Sequence, residues 1–291
     1  MKRKIVKQGA ATLMISLPSK WARKLGLKKG DEVDIEEQEN SLLVSLNGGK
    51  TKLETEISLT GMAESSIRTI MTNAYRTGYD RIKVNFSNEE QFKVLQDTIR
   101  TRLLGFDVIK KEKNSCVVEN ITEPSSEQFD NLLQKVFMNI DELFEISMQR
   151  LKGGKPVSDY KDTEARIQQY DNFCRRVMAK KSERKSQLFW TFLALVVHGQ
   201  RDLYHLNKYL DRAKEKDKDA LGLLADSKAI FDMIVDAYAK KSIQILEQVH
   251  EFHEKAMPKF QRSMKSPAIY HITSSMRNFY LSASPLMGWL I

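Results

Sequence analysis

Alternating apolar positions open this chain and helical spacing closes it. Leu13, Ile15 and Leu17 alternate with Met14 and Ser16, the two-residue period of a half-buried strand, after a short strand opened by Ile5 and Val6. Pro18 removes a backbone donor and Ser19 can cap, so the strand stops and a helix starts. Trp21, Ala22 and Leu25 recur at helical spacing up to Gly26, and Lys29-Gly30-Asp31 turns into a further alternating pair, Val33 and Ile35. From residue 51 to 121 the pattern reads β-α-β-α-β-β. Leu53, Ile57 and Leu59 mark a strand, and Ala63 to Tyr75 a helix. Residues 82–86 mark a strand, and Phe92 to Leu104 a helix behind a Ser87-Asn88-Glu89-Glu90 cap. A hairpin follows around Lys113-Asn114-Ser115.

From Ser125 the apolar period becomes 3.6 and stays there. It predicts helices from a Ser125-Ser126-Glu127 cap to Leu151, from about Ser158 to Lys181 and from Ser186 to Leu210. Three more run from Ala220 to about Lys241, onward to about Ala256, and from Ala268 to about Ala283. Met138, Asp141, Ser147, Gln149 and Leu151 recur 95 positions later as Met233, Asp236, Ser242, Gln244 and Leu246. That faint repeat favours a duplicated bundle of two three-helix halves. The expected fold is α+β and multidomain. Its parts are a head at 1–48, a small βαβαββ spacer or dimerisation domain at 51–121 and an all-α half at 125–291.

Charge sharpens the picture of the head. Residues 1–30 hold nine Lys and Arg and no Asp or Glu, whereas residues 31–39 hold six acids and no base. The whole chain, 291 residues with net charge +9, permits a nucleic-acid partner. Cys116 and Cys174 are too few for a disulfide scaffold or zinc knuckle and suit buried thiols in a reducing cytosol. The longest apolar run, Leu188 to Val197, falls short of the ~18 residues of a membrane span, and no signal peptide is visible. The expected location is therefore cytoplasmic, without membrane insertion.

The string carried by Arg3-Lys4, Gly9, Ser16-Leu17-Pro18, Trp21 and Gly26 through Val33 resembles the AbrB/SpoVT swapped-hairpin DNA-binding domain. The resemblance implies a β-barrel head formed by two chains that exchange hairpins. A segment this short cannot bury a core alone, so a homodimer is also the physical expectation. Arg3, Lys4, Lys7, Lys20, Arg23 and Lys24 are the residues expected to meet double-stranded DNA. A dimer doubles the basic face and gives it two-fold symmetry.

Behind this head, Glu164, Ile167, Arg176 and Gln200-Arg201-x-Leu203 resemble archaeal proteins of the PhoU type, phosphate-uptake regulators built from tandem three-helix bundles. That family binds metal through E/D-x-x-x-D motifs. Here Gln168 stands four residues after Glu164, and Asp202 is the single acid among residues 200–205, so no metal and no cofactor is expected. His250, His253 and Glu254 share a helix face but lack metallopeptidase spacing, and read as an exposed polar face ending before Pro258. Asp159, Asp162 and Glu164 read as first-turn acids. Arg175, Arg176, Lys180, Lys181, Arg184 and Lys185 read as cations completing a helix dipole.

The leading expectation is a dimeric transcriptional regulator of phosphate homeostasis. A signalling adaptor acting on a phosphate transporter or sensor protein is the alternative, with the head used only to dimerise. An antitoxin is a third reading, disfavoured by roughly 165 residues of packed helices. No Ser/His/Asp or Cys/His constellation supports an enzyme.

Overall fold

The computed structural model describes residues 2–9, 12–38, 41–46, 52–122, 128–180, 186–213, 217–263 and 266–291. The chain forms two compact units, Met1–Lys52 and Leu53–Ile291.

In the first unit, strands β1 (Ile5–Gln8) and β2 (Thr12–Ile15) pair antiparallel with Ile5 opposite Ile15. Helix α1 (Ser19–Lys24) follows, and β3 (Asp34–Gln38) pairs antiparallel with β4 (Ser41–Ser45). Extended Pro18 occupies the N-cap and Ser19 is already helical, so the expected serine cap is absent. Gly26, at φ +68°, ends α1 as expected, while Leu27 N–H donates back to Ala22 O at 3.0 Å.

The expected half-buried strand is not half-buried. Within one chain Leu13 is 69% and Ile15 59% exposed on one face, and Met14 is 43% exposed on the other. None of the described burial classes in residues 2–46 is buried. One chain supplies two separate hairpins rather than a closed barrel, because two two-stranded ribbons have too few inward side chains to make a core.

The second unit begins with the expected β-α-β-α-β-β order. It runs β5 (Glu54–Ser58), α2 (Glu64–Thr77), β6 (Arg81–Asn85), α3 (Glu89–Arg102), β7 (Phe106–Lys111) and β8 (Ser115–Asn120). The sheet order is β5-β6-β8-β7, with β5 and β6 parallel across α2 and the other pairs antiparallel. Asn88 caps α3 by accepting from Gln91 N–H at 2.9 Å, and the Gln91 side chain accepts from Ser87 N–H at 2.9 Å. Ile67, Met71, Tyr75, Ile82, Val84, Leu95 and Val118 form the core of this layer.

Among the described residues six helices follow: α4 (Phe129–Leu151), α5 (Tyr160–Lys180), α6 (Ser186–Leu210), α7 (Ala220–Lys240), α8 (Ile243–Ser263) and α9 (Pro267–Leu290). The expected cap at Ser125–Glu127 lies outside the described residues. Two helices outrun their expected ends. α8 continues past Ala256 to Ser263, and α9 passes through Pro285 to Leu290. Buried Leu286 and packed Met287 and Trp289 hold the last turns of α9 despite the missing proline donor.

The expected break near Lys241 is real. Lys241 adopts φ +51°, and Ser242 Oγ accepts from Ile245 N–H at 3.4 Å at the start of α8. The sequence repeat does not match helix to helix. Its first copy lies within α4, whereas its second crosses the α7–α8 break. Ser147 is buried in mid-helix and Ser242 is a cap.

The helices share one apolar core, in which Phe144, Phe231 and Phe279 meet with ring centroids 5.1–5.8 Å apart. Gly199 lets α6 approach α9 closely, since a Cβ there would stand 2.7 Å from the Phe279 ring. No described helix is long and apolar enough to cross a membrane.

The α/β layer joins the helices through the cations read as dipole partners. Arg176 is 1% exposed, and its guanidinium donates to Tyr75 O at 3.1 Å, Tyr79 O at 2.7 Å and Asp80 Oδ1 at 2.5 Å. Lys180 Nζ reaches the same Asp80 oxygen at 2.6 Å. Arg175 donates to Asp171, which also receives Arg76 at 2.9 Å from α2. The dipole reading fails for both because each guanidinium is buried on a carboxylate, Arg175 on Asp171 one turn back in the same helix and Arg176 on Asp80 of the α/β layer. Lys181, Arg184 and Lys185 lie outside the described residues.

Candidate nucleic-acid interface

The six head cations occupy two short stretches of the first unit. Arg3 and Lys4 precede β1, and Lys7 lies in it opposite Leu13. Lys20, Arg23 and Lys24 lie on α1, three and four residues apart and so on one face. Trp21 and Ala22 take the half-buried side of that helix. All six cations are exposed.

Local backbone chemistry fixes their carrier. Ala22 N–H donates to Pro18 O at 2.9 Å, which starts α1 directly after the strand segment. Arg23 Nε–H leans back onto Ser19 O at 3.4 Å. Beyond the helix, Lys28 N–H donates to Asp31 Oδ2 at 2.7 Å, and Gly30 at φ +98° completes the turn. The first acid after the basic run therefore closes a loop. Among the described residues, none of the six cations is ion-paired. Exposed ammonium groups of this kind suit phosphate contact, and a guanidinium also suits the paired acceptors of a guanine edge.

The same unit exposes a second chemistry. Ile5, Val6, Leu13, Ile15, Ile35 and Leu42 are each more than half exposed, an apolar fraction unusual for a free surface. The unit thus carries exposed cations on α1 and before β1 together with uncovered apolar strands.

The residues singled out in the helical half have structural partners. Ile167 and Leu203 are core. Glu164 is 15% exposed, and burial pushes its carboxyl up against the pull of Arg102 and Arg201. It is not the free first-turn acid that its position implied. Asp159 does serve the start of α5, accepting from Lys161 N–H at 2.8 Å. His250 meets the Tyr280 hydroxyl at 2.6 Å, and the His253 ring stacks on Tyr280 at 3.7 Å, so an aromatic partner on α9 covers part of the expected polar face. Among the described residues no three His, Cys, Asp or Glu groups converge.

Cys116 and Cys174 are free and buried, and burial pushes the Cys116 thiol up to about 11. Phe189, Tyr238, Lys241 and Trp289 belong to no linear motif, yet the fold draws them together from three helices and a helix end. Their only linear signal was that large aromatics and a cation fall near helix ends.

Residues 6–46 match the family described as antidote-toxin recognition MazE, bacterial antitoxin. No curated protein and no solved structure matches the chain. The match covers the head alone. There the chain is similar to a MazE-type domain.

Proposed function

We propose that the chain is a dimeric DNA-binding transcriptional regulator rather than an enzyme, acting in the cytoplasm. Its head reads duplex DNA and its helical half carries the regulatory input. The observation that supports this best is the head itself: six exposed, unpaired cations on a unit similar to MazE/AbrB-type domains, whose strands leave their apolar side chains uncovered. A second copy exchanging hairpins would close those strands into a barrel and set two basic faces about a two-fold axis. Arg3, Lys4, Lys7, Lys20, Arg23 and Lys24 then carry the DNA contact.

Phosphate status is the input favoured by the PhoU-like residues Glu164, Ile167, Arg176 and Leu203, with two three-helix groups, α4–α6 and α7–α9, as the sensing half. In the adaptor alternative the same half binds a phosphate transporter or sensor protein. The MazE match also favours a toxin-binding reading, in which the head serves a toxin partner as well as DNA. The helical unit has its own buried core and differs from a short disordered toxin-binding tail.

Titration of the full-length protein with genomic duplex fragments across a salt series tests the proposal. A dimer contacting ~6–8 phosphates gives a log–log slope of about −5 to −7. Retention of particular fragments far above background identifies a sequence-reading regulator. Arg3→Ala, Lys4→Ala and Arg23→Ala together weaken binding in a dimer that remains folded. No binding at moderate salt, or no loss in the triple variant, overturns the DNA assignment.

A further inference from the structure

A cavity of about 260 Å³ opens where the start of α4, the end of α5, the start of α6 and the ends of α7 and α9 meet. Phe189, Tyr238 and Trp289 form its aromatic wall, with ring centroids 4.9–5.7 Å apart, and Val177 and Met178 complete its apolar side. Two opposite charges stand at its edge. The Lys241 ammonium lies over the Tyr238 ring at 4.0 Å and the Trp289 ring at 4.2 Å. Asp130 accepts from the Tyr238 hydroxyl at 3.3 Å.

These two charges are not joined in a direct ion pair. Among the described residues Lys241 is in no ion pair, and burial lowers its pKa, only partly offset by Asp130. One tyrosine side chain spaces them, ring under the cation and hydroxyl on the anion. The left-handed backbone at Lys241, φ +51°, turns the chain from α7 into α8 at the position that carries this cation.

The occupant follows from the lining. An anion alone would meet Lys241 but oppose Asp130. A cation alone would meet the Lys241 ammonium already seated over the Tyr238 and Trp289 rings. A molecule with both charges and an apolar body satisfies every wall. We propose that this pocket binds a free hydrophobic α-amino acid. The ligand carboxylate pairs with Lys241, the ligand ammonium pairs with Asp130, and the ligand side chain enters the space beside Phe189 and Trp289. The cavity lies just below the ~300 Å³ at which pockets for larger ligands begin, which suits a ligand of this size. The site stands independently of the DNA reading and gives the helical half a small-molecule input.

Calorimetric titration of the full-length protein with L-phenylalanine and L-leucine tests this directly. Two relatives of phenylalanine serve as probes: 3-phenylpropanoate lacks the ammonium and 2-phenylethylamine lacks the carboxylate. Saturable binding of an amino acid, at least about tenfold tighter than either relative, is the expected result. Asp130→Asn keeps an acceptor for Tyr238, and Lys241→Asn suits the left-handed backbone. Each is expected to weaken binding at least about tenfold while the circular dichroism spectrum stays that of the parent. No saturable binding up to about 10 mM, equal binding of phenylalanine and a singly charged relative, or unchanged affinity in both variants overturns the proposal. The comparison of relatives uses the unaltered protein, so a variant that misfolds does not protect the idea.

Discussion

Arg176→Ala is expected to cost about 3 kcal/mol of stability, and the figure can be worked from the bonds it breaks. Removing one member of a buried ion pair costs about 3–5 kcal/mol, since the other charge is left buried. Asp80 is not wholly abandoned here. It keeps Lys180 at 2.6 Å and Leu53 N–H at 3.2 Å, which puts the pair term at the low end. Tyr75 O also retains a donor, Gly78 N–H at 3.1 Å, so Tyr79 O is the carbonyl that loses most. The guanidinium further packs 5.1 Å from the Tyr75 ring centroid and 4.9 Å from that of Phe106. Arg176→Lys keeps a charge without the fork and is expected to cost about half as much.

The effect carries a pH signature. Burial raises the Asp80 pKa, but Lys180, the Leu53 amide and Arg176 outweigh burial and hold it below its ordinary 3.8. A depressed folded-state pKa stabilises above the unfolded value and is lost as pH falls through the folded one. The gap between parent and Arg176→Ala is therefore full at neutral pH and narrows below about pH 4. Urea unfolding by far-UV circular dichroism at several pH values reads both, and amide exchange at Gly78–Asp80 reads the joint locally. A loss under about 1 kcal/mol, or one that does not shrink in acid, refutes the reasoning.

Three further outcomes are expected. Gly199→Ala drives a methyl to 2.7 Å from the buried Phe279 ring and should destabilise the helical unit by about 1–3 kcal/mol, measured by the same urea titration; an unchanged midpoint would mean the α6–α9 contact yields freely. Leu13→Asp should leave a monomer in sedimentation or light scattering, because a strand that is 69% exposed in one chain tolerates a carboxylate only if nothing covers it; a dimer of parent mass would remove hairpin exchange at this position. Ellman's reagent should label neither cysteine in the native protein and both after unfolding, since Cys116 and Cys174 are buried and their thiols are pushed above ordinary values; rapid native labelling of either would contradict its burial.

Where local signals governed an element, its position was legible in the residues. Asn88 and Gly26 mark a cap and a stop through backbone chemistry that acts within four residues, and both sit where the pattern put them. The ends of α8 and α9 were not legible. Proline reads as a stop in isolation, yet packing of Leu286 and Trp289 carries α9 through Pro285. The basic group at Arg175–Lys180 was misread for a related reason. Arg176 meets Asp80 across 96 residues, and no window along the chain shows that one helix's cations face another layer's carboxylate. The amino-acid pocket is hidden in the same way, since Asp130, Phe189, Tyr238 and Trp289 are far apart in sequence and meet only through the fold.

The head presents the opposite case, in which the pattern was legible and the chain does not by itself satisfy it. Alternation at Leu13 and Ile15 predicts one buried face, and the strands form with the register that such a face needs, Ile5 opposite Ile15. Nevertheless neither face is covered within the described unit, and Leu13, Ile15, Ile35 and Leu42 remain around three-fifths exposed or more. A polar substitution would relieve such exposure at no cost to the isolated unit, so the apolar residues make sense against a surface supplied from outside that unit. Two copies of the head, each with open hairpins and six free cations, would supply that surface to each other while leaving the charged side of α1 outward. In the proposed dimer, burial of the strands and presentation of the cations belong to one assembly step. Breaking the apolar contact at Leu13 should accordingly weaken DNA binding without touching a single cation.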